Sequence, residues 1–103
     1  RRRFSPTGKV PVLKHGDLTV WDSLAIGEYL AELAPQAGLW PADRGARAWA
    51  RSICAEMHSG FAELRQDLPM NIRLQRPWRE RTPAVLADIQ RIGEIWTESR
   101  RRY

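Results

Sequence analysis

Two short motifs near the start of the chain combine residue types that can hold a small peptide. The first is Val10-Pro11 within SPTGKVPVL, and the second is Asp22-Ser23, which directly precedes an amphipathic run. Proline has no N–H and a fixed φ, so Val10-Pro11 cannot be an ordinary central-strand pair and can present the backbone of Val10 to a ligand. A helix that begins at Asp22-Ser23 supplies free N–H donors and a partial positive charge, which bind a carboxylate.

A hairpin and a helix are predicted to position these motifs. Residues 10–13 and Leu18–Trp21 are short β-favouring runs, and Gly16 between them can take the positive φ of a tight turn. Asp22 is a plausible N-cap, because its carboxylate can accept from N–H groups two or three residues further on. The helix ends at Pro35, and its apolar residues recur on one face: Ile26, Tyr29, Leu30 and Leu33.

Only helices are predicted after residue 43. Asp43 can cap a helix that continues to Leu68 and ends at Pro69, with an apolar stripe formed by Trp49, Ile53, Met57, Phe61, Leu64 and Leu68. A basic loop, residues 70–81, contains Pro77 and Trp78. Thr82-Pro83 is a favourable start for a last helix, whose predicted inward stripe is Val85, Ile89, Ile92 and Trp96.

These motifs carry a resemblance to a known family. SPTGKVPVL…DLTVWDSLAIGEYLAE resembles the second half of the glutathione-binding domain of glutathione transferases, and ARAWARSICAEMHSGFAELRQDLPMNIR resembles the first helix of the helical domain in a bacterial subgroup. The resemblance implies a thioredoxin-like α/β half-domain (β-hairpin plus helix) in residues 1–35, a linker in 36–43, and the first helices of an all-α domain in 44–103.

The chain is expected to be a middle segment of the glutathione transferase fold. A two-stranded hairpin with one helix is marginal by itself, so the strands need partners that this sequence does not contain. A strand–helix–strand unit is therefore expected before Arg1, and further helices after Tyr103.

The resemblance also implies a glutathione site. Ser23 would bind the γ-glutamyl carboxylate and Asp22 the γ-glutamyl ammonium, while both could instead serve only as helix caps. Val10 would pair, backbone to backbone, with the cysteinyl residue of glutathione, and Pro11 matches the cis-proline of the family. Lys9 would meet the glycyl carboxylate, or be a plain surface lysine.

The implied activity is conjugation of the glutathione thiol to a hydrophobic electrophile, or isomerisation through a glutathione adduct. A non-catalytic scaffold of the same fold is the alternative. Glutathione would be a substrate and no metal is expected. The catalytic residue is unknown and is expected upstream of Arg1. A homodimer is expected, because the helix predicted for residues 43–68 has more apolar surface than a thin core can use.

The composition of the chain indicates its redox environment and the classes of partner that are not expected. The 103 residues carry a formal charge of +5 and a single cysteine, which cannot form an internal disulfide and favours a reducing, cytoplasmic setting. No run of about 18 apolar residues exists, so no membrane span is expected. Ten of the 15 arginines lie at the two chain ends and in the basic loop, without a nucleic-acid-binding motif, so nucleic-acid binding is not expected.

The remaining reactive side chains have simpler interpretations. His15 lies in the hairpin turn and is expected to be exposed, with no second ligand at metal spacing. His58 is expected to be a structural or interface histidine, rather than a substrate-pocket acid or base. Cys54 is expected to be a small core residue. Trp49, Met57 and Phe61 are expected in the core, although residues of this helix line the hydrophobic-substrate pocket in the family.

Overall fold

The computed structural model describes residues 3–103 and has a hairpin and a helix followed by further helices, as predicted. These residues form two compact units, of which the first ends at His58 and the second is Ser59–Tyr103. The elements are β1 (Val12–His15), β2 (Leu18–Trp21), α1 (Ser23–Leu33), a 3₁₀ turn (Pro35–Ala37), α2 (Arg44–Ser59), α3 (Ala62–Asp67) and α4 (Pro83–Arg102).

The hairpin is antiparallel, with Val12 opposite Trp21 and His15 opposite Leu18. Gly16 has a φ of 58°, which confirms its predicted role in the turn. The first strand begins two residues later than predicted and extends to His15. The strand begins later because Pro11 has no N–H to donate to the ladder. It ends later because the turn has only two residues, so that Lys14 and His15 still pair with β2.

Helix α1 begins as predicted. Asp22 is its N-cap and accepts a hydrogen bond from the backbone N–H of Leu24 at 2.9 Å. The helix ends at Leu33, just before Pro35. His15 is exposed, as predicted, but its Nδ1 also lies 2.7 Å from the hydroxyl of Tyr29, which joins the hairpin to α1.

The predicted helix of residues 43–68 is wrong in one respect, since the structure has two helices there. Asp43 does cap α2, accepting from the N–H of Ala46 at 2.8 Å. The chain then breaks at Gly60 and Phe61, where Phe61 has a φ of 63°. Glycine is a poor helix former, and a left-handed residue ends a helix. The apolar spacing continues across this break, so periodicity could not reveal it.

Burial of the Phe61 side chain offsets the energetic cost of its left-handed backbone conformation. A left-handed φ costs a side-chain-bearing residue about 1–2 kcal/mol, whereas full burial of a phenylalanine contributes about 1.5–3 kcal/mol. Phe61 is 8% exposed and belongs to the core of the second unit with Val85 and Ile95. The other residues expected in the core are less buried, because Trp49 and Cys54 are half-buried and Met57 is exposed.

Helix α4 begins as predicted, and of its predicted inward stripe Val85 is buried and Ile92 half-buried, but Ile89 and Trp96 are exposed. Thr82 caps it by accepting from the N–H of Val85, and Pro83 occupies the first turn. Val85 and Ile95 are buried, whereas the predicted inward residues Ile89 and Trp96 are 43% and 67% exposed. Helix α3 packs against α4, and it covers the side on which Asp88 and Ile95 lie.

Asp88 supplies a cap that α3 lacks locally. Phe61 precedes α3 and has no side-chain capping bond, whereas Oδ2 of Asp88 accepts a hydrogen bond from the N–H of Leu64 at 3.0 Å. A carboxylate from α4 thus satisfies a free donor in the first turn of α3.

We expect Asp88→Ala to lower the free energy of unfolding of the intact protein by about 1 kcal/mol, the usual cost of a lost helix cap. Asp88→Asn is the matched control, because its amide oxygen can still accept from Leu64. Urea unfolding measures both variants. An Ala variant as stable as the Asn variant contradicts the proposed cap.

Candidate functional site

The hairpin register brings the two sequence motifs to one end of the ladder. Val12 is opposite Trp21, so the residue before Val12 and the residue after Trp21 are the next neighbours across the hairpin. Opposite residues in antiparallel strands lie about 4.5–5.5 Å apart at their Cα atoms. Pro11 and Asp22 each directly adjoin this last pair, although ten residues lie between them.

The first motif forms a tight loop before β1. The Val10–Pro11 peptide bond is cis, which confirms the match to the cis-proline. Val10 is 72% exposed and precedes β1, so its N–H and C=O are not part of the strand pairing. Lys9 is exposed as well, and its N–H donates to Thr7 Oγ1 at 3.3 Å.

A buried serine anchors this loop. Ser5 is only 2% exposed, and its hydroxyl lies 3.2 Å from that of Thr7. Its carbonyl accepts from the N–H of Gly8 at 3.1 Å, and Gly8 has a φ of 72°, a conformation that glycine adopts without steric cost. These bonds close a turn that directs the chain into Lys9 and Val10.

The second motif forms a hydrogen-bonded cluster with His58 of α2. His58 Nε2 lies 2.8 Å from Asp22 Oδ2, and His58 Nδ1 lies 3.4 Å from Ser23 Oγ. Asp22 also bonds to Leu24, so both of its carboxylate oxygens are engaged. The cluster remains open to solvent, since the side chains of His58 and Asp22 are 38% and 44% exposed.

Asp22 is held in an uncommon backbone conformation, with φ 75° and ψ 130°. Such a conformation costs a non-glycine residue on the order of 1–3 kcal/mol and persists where surrounding contacts stabilise it. The bonds to Leu24 and His58 are those contacts. The conformation lets the carboxylate cap α1 while it remains next to Ser23.

The electrostatics of the cluster keep Asp22 ionised. Its pKa is lowered, chiefly by the Leu24 N–H and further by His58, while desolvation opposes both. A lowered pKa means that ionised Asp22 stabilises the fold above the ordinary aspartate range, and this contribution is lost as the pH falls through the lowered pKa. A permanent negative charge is thus present at neutral pH beside Ser23.

His58 is the residue of this cluster that sequence reasoning did not assign to the site. The sequence favours a structural or interface histidine, and the contacts of both ring nitrogens with Asp22 and Ser23, which join α2 to the start of α1, are compatible with that role. A second contact between α1 and α2 shows a spacing along α2 that could have pointed to His58. Arg51 of α2 pairs with Glu28 of α1 at 2.9 Å, seven residues before His58 and therefore on the same helix face. The guanidinium of Arg51 also lies 5.4 Å from the centre of the Trp40 ring.

A cleft of about 550 Å³ lies in the second unit. Its walls come from the basic loop and include Arg76, Arg79, Arg81 and Trp78. Asp67 pairs with Arg79 and, at 3.2 Å, with Arg81, which neutralises part of that charge. The cleft contains none of the predicted site residues.

Two further findings concern residues 3–103. No three His, Cys, Asp or Glu side chains are grouped there so that they could hold a metal ion. No helix in this part of the chain is both long and apolar enough to span a membrane.

The hairpin and α1, followed by further helices, are consistent with a thioredoxin-like half-domain joined to a helical domain. Residues 2–33 match the family model described as the glutathione S-transferase N-terminal domain. Over this stretch the chain is similar to the glutathione S-transferase family.

Several characterised relatives match shorter stretches of the chain. Dichloromethane dehalogenase of Methylorubrum extorquens is 48% identical over 40 residues, which cover 39% of this chain and 14% of that protein. Glutathione S-transferase 1 of Dianthus caryophyllus is 50% identical over 46 residues, which cover 45% of this chain and 21% of that protein. Probable maleylacetoacetate isomerase 1 of Drosophila melanogaster is 43% identical over 63 residues, which cover 61% of this chain and 26% of that protein.

The chain thus spans between 14% and 26% of the length of these relatives. Their names are those of a dehalogenase, a glutathione S-transferase and a probable isomerase. They come from a bacterium, a plant and an insect, so membership of a bacterial subgroup stays a prediction.

We expect His58→Leu to raise the pKa of Asp22 without restoring its ordinary value, because the larger cause, the Leu24 N–H, remains. Carboxyl-carbon NMR titration of the intact protein measures this. Glu28 is the internal control, since its pKa is lowered chiefly by Arg51 and should not change. An unaltered Asp22 titration in the variant would show that the His58 contact is absent in solution.

Proposed function

We propose that this chain carries the glutathione-binding residues of a glutathione-dependent transferase. The observation that supports the proposal is the hairpin register, because the exposed Val10-Pro11 segment and the Asp22-Ser23 helix start adjoin the same end pair, Val12 with Trp21. A tripeptide could then contact both motifs at once, with its backbone along Val10 and its charged end at α1.

The γ-glutamyl end of glutathione matches the chemistry of Asp22 and Ser23. This end carries an ammonium and a carboxylate next to each other. The ionised Asp22 is suited to the ammonium. The Ser23 hydroxyl and the positive end of α1 are suited to the carboxylate, since free N–H groups and the helix dipole favour an anion there.

The remaining contacts follow the direction of the bound peptide. The backbone of Val10 would pair with the cysteinyl residue, because its N–H and C=O lie outside the ladder. Pro11 would hold Val10 in that position. Lys9, one residue further from the γ-glutamyl end, would meet the glycyl carboxylate as a point charge on a flexible side chain.

The reaction that this site would serve is nucleophilic attack by the glutathione thiolate. The sulfur forms a bond to an electrophilic carbon of a hydrophobic small molecule, and a leaving group departs with the bonding electrons. Addition followed by elimination would give isomerisation instead. A cysteine thiol with a pKa of about 8.5 is mostly protonated at pH 7, so an activating group is required. We place that group outside residues 1–103.

The wider setting is also part of the proposal. We place the end of the glutathione-binding domain at residue 35, a linker in 36–43 and the helical domain in 44–103, in a cytoplasmic protein.

We further propose that the intact protein is a homodimer, because Leu30, Leu33 and Met57 leave large apolar side chains exposed on α1 and α2. Burial of such surface is the main driving force of association. Light scattering should give twice the subunit mass. A monomer mass at micromolar concentration contradicts this part of the proposal.

We expect Ser23→Ala to weaken glutathione binding about ten- to a hundred-fold. The variant loses one hydrogen bond to a charged group, worth roughly 1.5–3 kcal/mol, and each 1.4 kcal/mol is about tenfold in affinity. Its stability should change little, because the observed cap of α1 is Asp22. Calorimetry and thermal melting on the same intact protein separate these effects.

Two companion variants complete this test. Ser52→Ala is the matched control, since the Ser52 hydroxyl only bonds to the carbonyl of Ala48 within α2. Asp22→Asn keeps an acceptor for the Leu24 N–H but removes the charge, so it should weaken glutathione binding and leave α1 capped. If Ser23→Ala and Asp22→Asn both bind glutathione as the parent does, the proposed site is wrong.

A further inference from the structure

The cluster of Asp22, Ser23 and His58 contains a titratable group that the proposed function does not use. Both ring nitrogens of His58 are engaged, Nε2 with Asp22 at 2.8 Å and Nδ1 with Ser23 at 3.4 Å. Asp22 and Ser23 are the residues assigned to the two charges of the γ-glutamyl group. His58 therefore contacts both of them without taking part in the contacts proposed for the ligand.

The hydrogen positions in this cluster follow from its chemistry. An ionised carboxylate can only accept hydrogen bonds, so the hydrogen between Asp22 and His58 is on Nε2. In a neutral imidazole the other nitrogen, Nδ1, then has no hydrogen and can only accept. Without a ligand, Ser23 therefore donates its hydroxyl hydrogen to Nδ1 of His58, and it must give up this bond in order to donate to a ligand carboxylate.

Protonation of His58 reverses this arrangement. In the imidazolium both nitrogens donate, so Nδ1–H donates to the oxygen of Ser23. The hydroxyl hydrogen of Ser23 is then free to donate to a carboxylate. The bond from Nε2 to Asp22 persists in both states, so the carboxylate assigned to the ligand ammonium stays in place.

We propose that His58 is a positioning residue of the γ-glutamyl subsite and makes glutathione binding dependent on pH through the Ser23 hydroxyl. This inference rests on the proposed function. Glutathione affinity is higher when His58 is charged, because Ser23 can then donate to the ligand carboxylate and still keep its hydrogen bond to His58. The affinity falls as the pH rises and His58 loses its proton.

The direct charge of the imidazolium is a smaller effect. The γ-glutamyl end is a zwitterion, so a positive charge nearby attracts its carboxylate and repels its ammonium. Within residues 3–103, Asp22 is the charged side chain bonded to His58. Arg51, on the same face of α2, is paired with Glu28 and lies seven residues away, about 10 Å along the helix. Glu56 is two residues from His58 and so points to a different side of α2.

The test measures binding of S-methylglutathione to the intact protein by calorimetry at about pH 5.5 and pH 8, the range in which histidine titrates. This probe has no thiol, so the ligand does not titrate in that range. The parent protein should bind about tenfold more weakly at the higher pH, the size of one hydrogen bond to a charged group. His58→Gln, which keeps a donor for Asp22 but cannot titrate, should show no such change.

The chain provides a matched control and a second variant. His15→Gln removes the only other histidine, whose partner is Tyr29, and should keep the pH dependence of the parent. Ser23→Ala leaves His58 in place but removes the hydroxyl through which it acts, so its weaker binding should not vary with pH. This second variant keeps the test decisive if His58→Gln is unstable.

The outcomes separate the inference from the function on which it rests. If the parent binds S-methylglutathione with a pH dependence that persists in His58→Gln or in Ser23→Ala, the role of His58 is wrong and the glutathione site stands. If the parent binds the probe equally well at both pH values, the role of His58 is likewise wrong and the glutathione site stands. If the parent does not bind the probe at either pH, the proposed function is overturned together with the inference.

Discussion

The antiparallel pairing of Val12 with Trp21 is the constraint on which the candidate site depends. A shift of one residue in this register would turn every side chain of a strand to the opposite face and separate Pro11 from Asp22. Gly16 in the turn and the missing N–H of Pro11 define the two ends of the ladder, so they also set this register. The site is thus a consequence of how the hairpin closes, although neither motif contributes a residue to the turn.

Asp22 illustrates how one side chain can serve both fold and function. Its carboxylate caps α1 and contacts His58, and the uncommon φ of 75° makes both contacts possible. Removal of the side chain would therefore alter stability and binding together, whereas asparagine separates the two because it retains the acceptor. The lowered pKa of Asp22 has the same dual origin, a backbone N–H and an imidazole.

Local features of this chain were predictable from sequence, and contacts between distant elements were not. The caps Asp22, Asp43 and Thr82 follow from residue type and position, and the cis-proline follows from family resemblance. The break at Phe61 was hidden because the apolar spacing continues through it. The exposed face of Trp96 and the contact of His58 depend on which helix packs beside which, and a single sequence does not contain that information.

Two pairs join α1 and its N-cap to α2: Asp22 with His58, and Glu28 with Arg51. Asp22 and Glu28 are six residues apart in sequence, and their partners on α2 are seven residues apart. The two segments therefore run in opposite directions with matched spacing. Insertions in the connection between Leu33 and Arg44 would preserve both pairs. A deletion of one residue between Asp22 and Glu28 would rotate one partner by about 100° relative to the other. Length variation among homologues should accordingly concentrate in the connection and spare the start of α1.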